Sequence, residues 1–255
     1  CDRCKKLIAI PTTAGTGSES THFAVVYISG KKYSLASQYL MPNVAILDPD
    51  FTLSVPKYLA ACTAFDSLSQ AIESYWSINS NAKSKRLSMK AMELILKNIE
   101  KSVIYKEKRS TTKMMIAANL SGQAINISKT TAPHALSYKI SSLINVAHGH
   151  AVAITLGKFF KINHFSQNIN KSISIRRHCN TMNSIYKILK VNGPIEAEKK
   201  WYKLMKKCKL ETNFNKLNLH QTKTTEKIIK SVNIERLNNH PVSLSRRDFI
   251  SIFKN

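Results

Sequence analysis

Glycine is scarce in this sequence, with seven residues in 255. That leaves little room for the glycine-rich turns that wrap nucleotide phosphates, and neither a GxGxxG stretch nor a P-loop occurs. Acidic side chains are also few: 15 Asp+Glu stand against 39 Lys+Arg, a formal net charge of +24. Such an excess raises the question of a nucleic-acid partner. The basic residues, however, are scattered, mostly lysine, and not interleaved with the aromatics a base-stacking platform needs, so nucleic acid is not an expected primary partner. No apolar run approaches the roughly 18 residues that span a bilayer, and no membrane partner is expected. The five cysteines are Cys1, Cys4, Cys62, Cys179 and Cys208. Cys1 and Cys4 form a CxxC without the second pair of a zinc knuckle. An odd count in a chain of this length fits reduced thiols and a cytoplasmic location. The first residue is Cys1 and no charged-then-apolar leader follows it, so the expectation is a chain that begins part-way through a longer protein.

Hydrophobic residues make up 43% of the chain, enough for a sizeable core in one large domain or two smaller ones. The first fifth reads as β structure. LIAIP (7–11) is a short strand; FAVVYI (23–28) and KYSLA (32–36) flank Ser29-Gly30-Lys31 as a hairpin; NVAILDP (43–49) reads as a buried strand. After Phe51 the period changes to helical. Helices are expected from Pro56 to Trp76, Lys83 to Lys106, Thr111 to Ile127, Pro133 to Leu143 and His150 to Asn163. Weaker patterns cover 173–190, 195–209, 224–232 and 245–253, with a break at Asn192-Gly193-Pro194. No internal repeat or low-complexity linker is present. The expected division is a β-rich segment over 1–50 and an all-helical domain over 51–255.

Two segments carry residues that could do chemistry. In FDSLSQAIESYW, Asp66 and Gln70 lie four apart and share one helix face. A carboxylate in so apolar a helix needs a partner if buried; a salt bridge or helix cap would satisfy it as well as a metal would. In SKTTAPHALSYKISSLINVAHGHAVA (128–153), His134 and His148 each stand where a helix can begin. Pro133 suits a first helical turn, and Gly149 permits a tight bend beside His148. Either histidine alone is more often a hydrogen-bonded core residue than a ligand. Together, two imidazoles, a carboxylate and an amide oxygen could hold a divalent metal such as Zn²⁺ or Fe²⁺. The small, polar TTAGTGSES loop after the first strand could lay N–H groups and hydroxyls around a phosphate. By spacing alone an ordinary turn serves equally well.

The order IPTTAGTGSE, NVAILDP, AFDSLSQAIESYWS, HALSY and HGHAVA, ending in VNIERLNNHPVSLSRRDFISIF, resembles the iron-containing (group III metal-dependent) alcohol dehydrogenases, with a more distant likeness to dehydroquinate synthase. The resemblance runs from about residue 7 to the C-terminus. It implies a mostly α chain: an all-helical metal-binding domain over 51–255, preceded over 1–50 by the last strands of a Rossmann-like dinucleotide-binding α/β domain. The family's GGGS turn is not in this sequence. THFAVVYISGKKYSLA, SQAIESYWS, ISKTTAPHALSY and HGHAVAITLGKFF resemble in particular the family's phosphonoacetaldehyde reductases.

Carried over by motif, the metal ligands would be Asp66, His134 and His148, with Gln70 where the family usually has histidine; its amide oxygen is the weaker, harder donor. The metal would be Fe²⁺, with Zn²⁺ or Mn²⁺ as alternatives. NAD(P)H would lie along Thr12, Thr13, Gly15, Thr16 and Gly17, with Lys32 matching a nucleotide-contacting lysine. Tyr138 stands where the family often has a second histidine near the nicotinamide. An anionic substrate would look for donors among Lys129, Thr130, Thr131 and His150. The implied activity is reduction of an aldehyde, with phosphonoacetaldehyde going to 2-hydroxyethylphosphonate; the residue that relays the proton is left unassigned and a homodimer is left open. Two other readings stay open: a general dehydrogenase of short alcohols or diols, and an inactive basic binding protein.

Overall fold

A computed structural model describes residues 5–28, 31–232 and 237–254, with the side chains of 27–34 not described. Cys1, Cys4 and the hairpin turn at Ser29-Gly30 lie outside the described residues. The chain is mostly helical, as its periodicity indicates.

The hairpin strands fall where the pattern predicts, while the strands at 7–11 and 43–49 are shorter than it predicts. Strand β1 (Ile8–Ala9) pairs in parallel with β4 (Val44–Ala45), and β2 (Phe23–Ile28) pairs antiparallel with β3 (Lys31–Ala36). The sequence at 43–49 predicts a buried strand. Only two of its residues join a ladder, and Val44 is 49% exposed, as Ile8 across from it is 57% exposed. The reason is that this parallel pair has one neighbour per strand and no helix laid over it among the described residues, whereas parallel strands are normally covered on both faces. The chain then turns directly into a short helix, α1 (Asp50–Leu53).

The helical body is built around α2 (Lys57–Trp76). From Ala64 to Trp76 every residue of α2 is buried, as befits a helix covered on all sides. The covering comes from α3 (Ala82–Tyr105), α4 (Lys108–Ser128) and α6 (His148–Phe165), with α5 (Ala132–Ile144) packed on α6. Small residues make this possible. Ala61, Ala64, Ser67, Ala71 and Ser74 let neighbouring backbones come close, and Ser67 and Ser74 find hydroxyl partners in Ser121 and Ser128 of α4. Beyond α6 the chain adds α7 (Ile175–Leu189), α8 (Pro194–Lys207), α9 (Thr222–Lys230) and α10 (Arg246–Ile252). Several starts are capped as their sequences suggest: Asn81 and Ser84 form a capping box on α3, Ser245 and Asp248 another on α10.

Two glycines set the distances that matter. A Cβ on Gly149, in the first turn of α6, would overlap the Cys62 carbonyl on α2, one turn before Asp66. Gly17 has φ 61° and sits against Gly122 of α4, so the loop after β1 rests directly on the helical body.

Candidate metal centre

Asp66 projects from the middle of α2, His134 from the first turn of α5 and His148 from the start of α6. One donor atom from each lies within 4.8 Å of the others. The Nε2 of His134 is 3.2 Å from Asp66 Oδ1, and the Nε2 of His148 is 3.9 Å from the same oxygen.

The far side of each imidazole decides which nitrogen faces inward. His134 Nδ1–H donates to Glu73 Oε2, a carboxylate with no solvent exposure. The Ser137 hydroxyl donates to the His134 carbonyl (2.7 Å), so toward His148 Nδ1 (3.3 Å) it acts as acceptor. Both rings therefore carry a proton on Nδ1 and present Nε2 to Asp66, the orientation metal-binding histidines adopt when a carboxylate or hydroxyl holds the far nitrogen; the His134 Nε2–H donates to Asp66 Oδ1 (3.2 Å), and a metal ion would take the place of that proton. Tyr138 stacks on His148 with centroids 5.5 Å apart and planes 20° off parallel, which steadies the more exposed ring.

The electrostatics agree with a cation site. Burial opposes ionisation of Asp66, but the hydrogen bond from His134 and the charges of His148 and His134 outweigh it and hold the carboxyl below its usual value. Burial likewise opposes a charged His134, yet Glu73 and Asp66 on its two sides push its pKa up to about 9. A doubly flanked imidazole of this kind favours positive charge at its position. With the proton between His134 and Asp66 given up, a carboxylate and two neutral imidazoles converging on one point would fit Fe²⁺ or Zn²⁺.

Glu73 does more than orient His134. Its Oε1 accepts from Thr131 N–H (2.9 Å), the Thr131 hydroxyl (3.0 Å) and His134 N–H (3.3 Å). No side chain of α5 caps its own N-terminus, and Glu73 reaches across from α2 to take those orphan donors.

The triad opens into a cavity of about 490 Å³ whose wall includes Thr16, Lys129, Thr130 and Asn239. Lys129 closes α4 with φ 61° and ψ 172°, a backbone region rarely adopted by side chains other than glycine.

Comparison with known proteins bears on this centre. Residues 60–255 match the model of the Fe-containing alcohol dehydrogenase family, C-terminal, and residues 1–49 match that of iron-containing alcohol dehydrogenase. The chain belongs to the iron-containing alcohol dehydrogenase family. It is 39% identical over 160 residues to aldehyde-alcohol dehydrogenase 2 of Entamoeba histolytica, covering 62% of this chain and 18% of that protein. It is 33% identical over 162 residues to the phosphonoacetaldehyde reductase of Streptomyces viridochromogenes, covering 62% of this chain and 41% of that protein. Among solved structures, the sulfoacetaldehyde reductase from Bifidobacterium kashiwanohense in complex with NAD⁺ superposes with a TM-score of 0.84 at 28% identity, over 97% of this chain and 64% of that one. The chain thus matches less than half the length of these two curated relatives.

Within this family member, the residues singled out by sequence fall into three groups. Asp66, His134 and His148 converge. Lys129, Thr130 and Thr16 line the same cavity. Gln70 and Tyr138 line it too, and Thr12, Thr13, Gly15, Gly17, Thr131 and His150 are not part of its wall. The Thr131 hydroxyl is held between Glu73 and Trp76 Nε1 (2.9 Å). His150 points away from the cavity: its Nε2–H donates to the Glu211 carbonyl (2.8 Å) and its Nδ1 accepts from Tyr58 OH (3.3 Å), which in turn accepts from Ala147 N–H. Burial lowers the His150 pKa. Gly15 packs on Thr63 and Gly17 on Gly122, while Thr12 and Thr13 stand outside the cavity wall. Lys32 lies in β3, its side chain outside the described residues. Gln70 directs its amide nitrogen toward Asp66 and Thr16 and its oxygen toward Ser121. Sequence reasoning did not single out Glu73, Ser137 or Asn239. The signal for Glu73 was on view, since it lies seven residues after Asp66 and so on the same face of α2.

Proposed function

We propose that this chain forms the metal-binding part of an NAD(P)H-linked reductase of an aldehyde that carries an anionic group, with phosphonoacetaldehyde as the candidate substrate. The single observation behind this reading is the convergence of Asp66, His134 and His148 on a cavity that also presents Lys129. In this reading residues 51–255 are the metal-binding domain, and the segment up to about residue 50 belongs to the edge of the dinucleotide-binding domain.

The overall change is aldehyde plus NAD(P)H plus a proton to alcohol plus NAD(P)⁺. When bound, a divalent metal supplies Lewis acidity to a carbonyl oxygen. The protein's own part is positional. Asp66 brings one negative charge and two imidazoles bring none, so the three donors leave a dication with net positive charge. Glu73 and Ser137 hold both imidazoles with Nε2 inward. Lys129, Thr130 and the Asn239 amide on the cavity wall offer a cation and polar groups to a phosphonate. The loop through Thr16 forms another part of that wall, along which the nicotinamide would lie.

Lys129 favours an anionic substrate for a second reason. A lysine held at positive φ costs about 1–3 kcal/mol relative to relaxed backbone, and this one occupies the cavity wall. The names of two relatives, phosphonoacetaldehyde reductase and sulfoacetaldehyde reductase, describe aldehydes with such a group. One observation favours a second reading: identity to the aldehyde-alcohol dehydrogenase of Entamoeba histolytica is the higher, at 39%. That reading is a dehydrogenase of uncharged short alcohols.

Steady-state assays on the full-length protein containing this chain separate the two. Phosphonoacetaldehyde should exceed acetaldehyde in kcat/KM by at least about 100-fold, the upper range of one charge-assisted contact. Lys129→Ala should lower the first by about 10–100-fold and leave the second nearly untouched. Equal or better turnover of the uncharged aldehyde by the wild type overturns the phosphonate reading.

A further inference from the structure

Where the resemblance implies a fourth ligand this chain has Gln70, and the hydrogen bonds of Gln70 show what that residue does. Its Nε2 donates to the Thr16 carbonyl (3.1 Å) and to Asp66 Oδ2 (3.3 Å), and its Oε1 lies 3.2 Å from the Ser121 hydroxyl, whose hydrogen it shares with the nearer Ala118 carbonyl (2.8 Å). The amide orientation follows from these partners. Turned the other way, Oε1 would face the Thr16 carbonyl oxygen and the Asp66 carboxylate, two acceptors with no hydrogen between. The side of Gln70 that faces the metal-binding carboxylate is therefore N–H, which has no lone pair to give. The oxygen, the one atom that could ligate, points to α4.

We infer that the metal centre of this chain has three protein donors, Asp66, His134 and His148, and that Gln70 is a positioning residue. It ties Asp66 Oδ2 to the Thr16 backbone, leaving Oδ1 as the oxygen turned to both histidines. This rests on the metal-binding reading above. A carboxylate and two imidazoles leave the remaining coordination positions to water or to oxygens of a ligand entering from the cavity. The cross-link also couples the metal-binding carboxylate to the Thr16 loop, so an adjustment of either is felt by the other.

The test is anaerobic titration with Co²⁺ alone, following its visible d–d absorption, on the wild-type chain, Gln70→Leu, Gln70→His and His134→Ala. Thermal melting of each confirms that it is folded. The wild type should take up about one Co²⁺. Gln70→Leu should keep the band shape and weaken binding by less than about 10-fold, because no bond to the metal is lost. Gln70→His should change the spectrum and tighten binding at least about 10-fold, because an imidazole is added. His134→Ala should weaken binding by more than about 100-fold. A folded Gln70→Leu that loses Co²⁺ as His134→Ala does, or a Gln70→His that leaves spectrum and affinity unchanged, overturns the three-donor centre alone. No Co²⁺ uptake by the wild type overturns the metal-binding reading itself and the inference with it.

Discussion

Glu73 shows how much a single buried carboxylate can settle. It accepts from the His134 ring, from two backbone N–H groups at the start of α5 and from Thr131. Glu73→Gln keeps the shape but replaces one acceptor oxygen by an N–H donor, which must face a donor somewhere in that set. Metal affinity, read by titration and metal analysis, should fall about 10–100-fold, as for other partners of metal-binding histidines. An unchanged affinity would remove Glu73 from the centre. His240 makes a different kind of claim. Burial and the nearby His178 push its pKa down to about 3, and it donates through Nε2–H to Asn163 Oδ1 (2.8 Å). The unfolded state binds a proton below about pH 6.5 that the folded state refuses until about pH 3. Stability is therefore complete above pH 6.5 and lost as pH falls from there, by up to about 1.4 kcal/mol per pH unit for this one group. Urea midpoints between pH 7 and 5 should drop in the wild type and drop less steeply in His240→Gln. At this scale the sequence was legible where residue type and spacing carry the chemistry, as with Asp66, His134 and His148. It was not legible for Glu73, Ser137 or Asn239, whose parts depend on which helix lies opposite. His150 misleads for the same reason: two positions from His148 on α6, it faces Tyr58 and Glu211 instead.

At the scale of elements, the centre exists because α2, α5 and α6 come close at one level. Gly149 sets the α2–α6 distance, and Gly149→Ala would force α6 off the Cys62 carbonyl. The expected cost is about 1–3 kcal/mol, typical of overpacking a tight contact, together with a metal affinity at least about 10-fold weaker because His148 sits one residue before. Chemical denaturation and Co²⁺ titration read the two effects separately; a fall in stability with unchanged metal affinity would show that the crossing does not place His148. The helices were readable from period and punctuation. The expected start of α6 at His150 proves to be His148, with Ala147 as the extended residue just before the first turn. The hairpin strands were readable too, but the parallel pair was over-read. LIAIP and NVAILDP have the composition of buried strands, but pairing depends on neighbours, and each has a single partner over two residues.

For the whole molecule the dominant fact is charge. The chain carries a formal +24 and Lys129 stands on the cavity wall, so under the proposed reading long-range attraction should help bring in an anionic aldehyde. Raising ionic strength from about 0.02 to 0.2 M shortens the screening length from some 20 Å to under 10 Å. The KM for phosphonoacetaldehyde should rise several-fold over that range while that for acetaldehyde holds. Equal responses would mean the surface charge plays no part in substrate capture. The same charge raises a nucleic-acid reading at the level of composition, and the converging triad of Asp66, His134 and His148 argues for a different use of the fold.

All of this rests on a metal held by Asp66, His134 and His148. The most direct test is metal analysis of the chain after anaerobic loading with Fe²⁺ and removal of excess, beside Asp66→Ala and His148→Ala. About one Fe per wild-type chain and none in either variant, with melting temperatures within a few degrees, is the predicted result. Iron retained by a folded Asp66→Ala, or a loaded wild type that holds none, would contradict it.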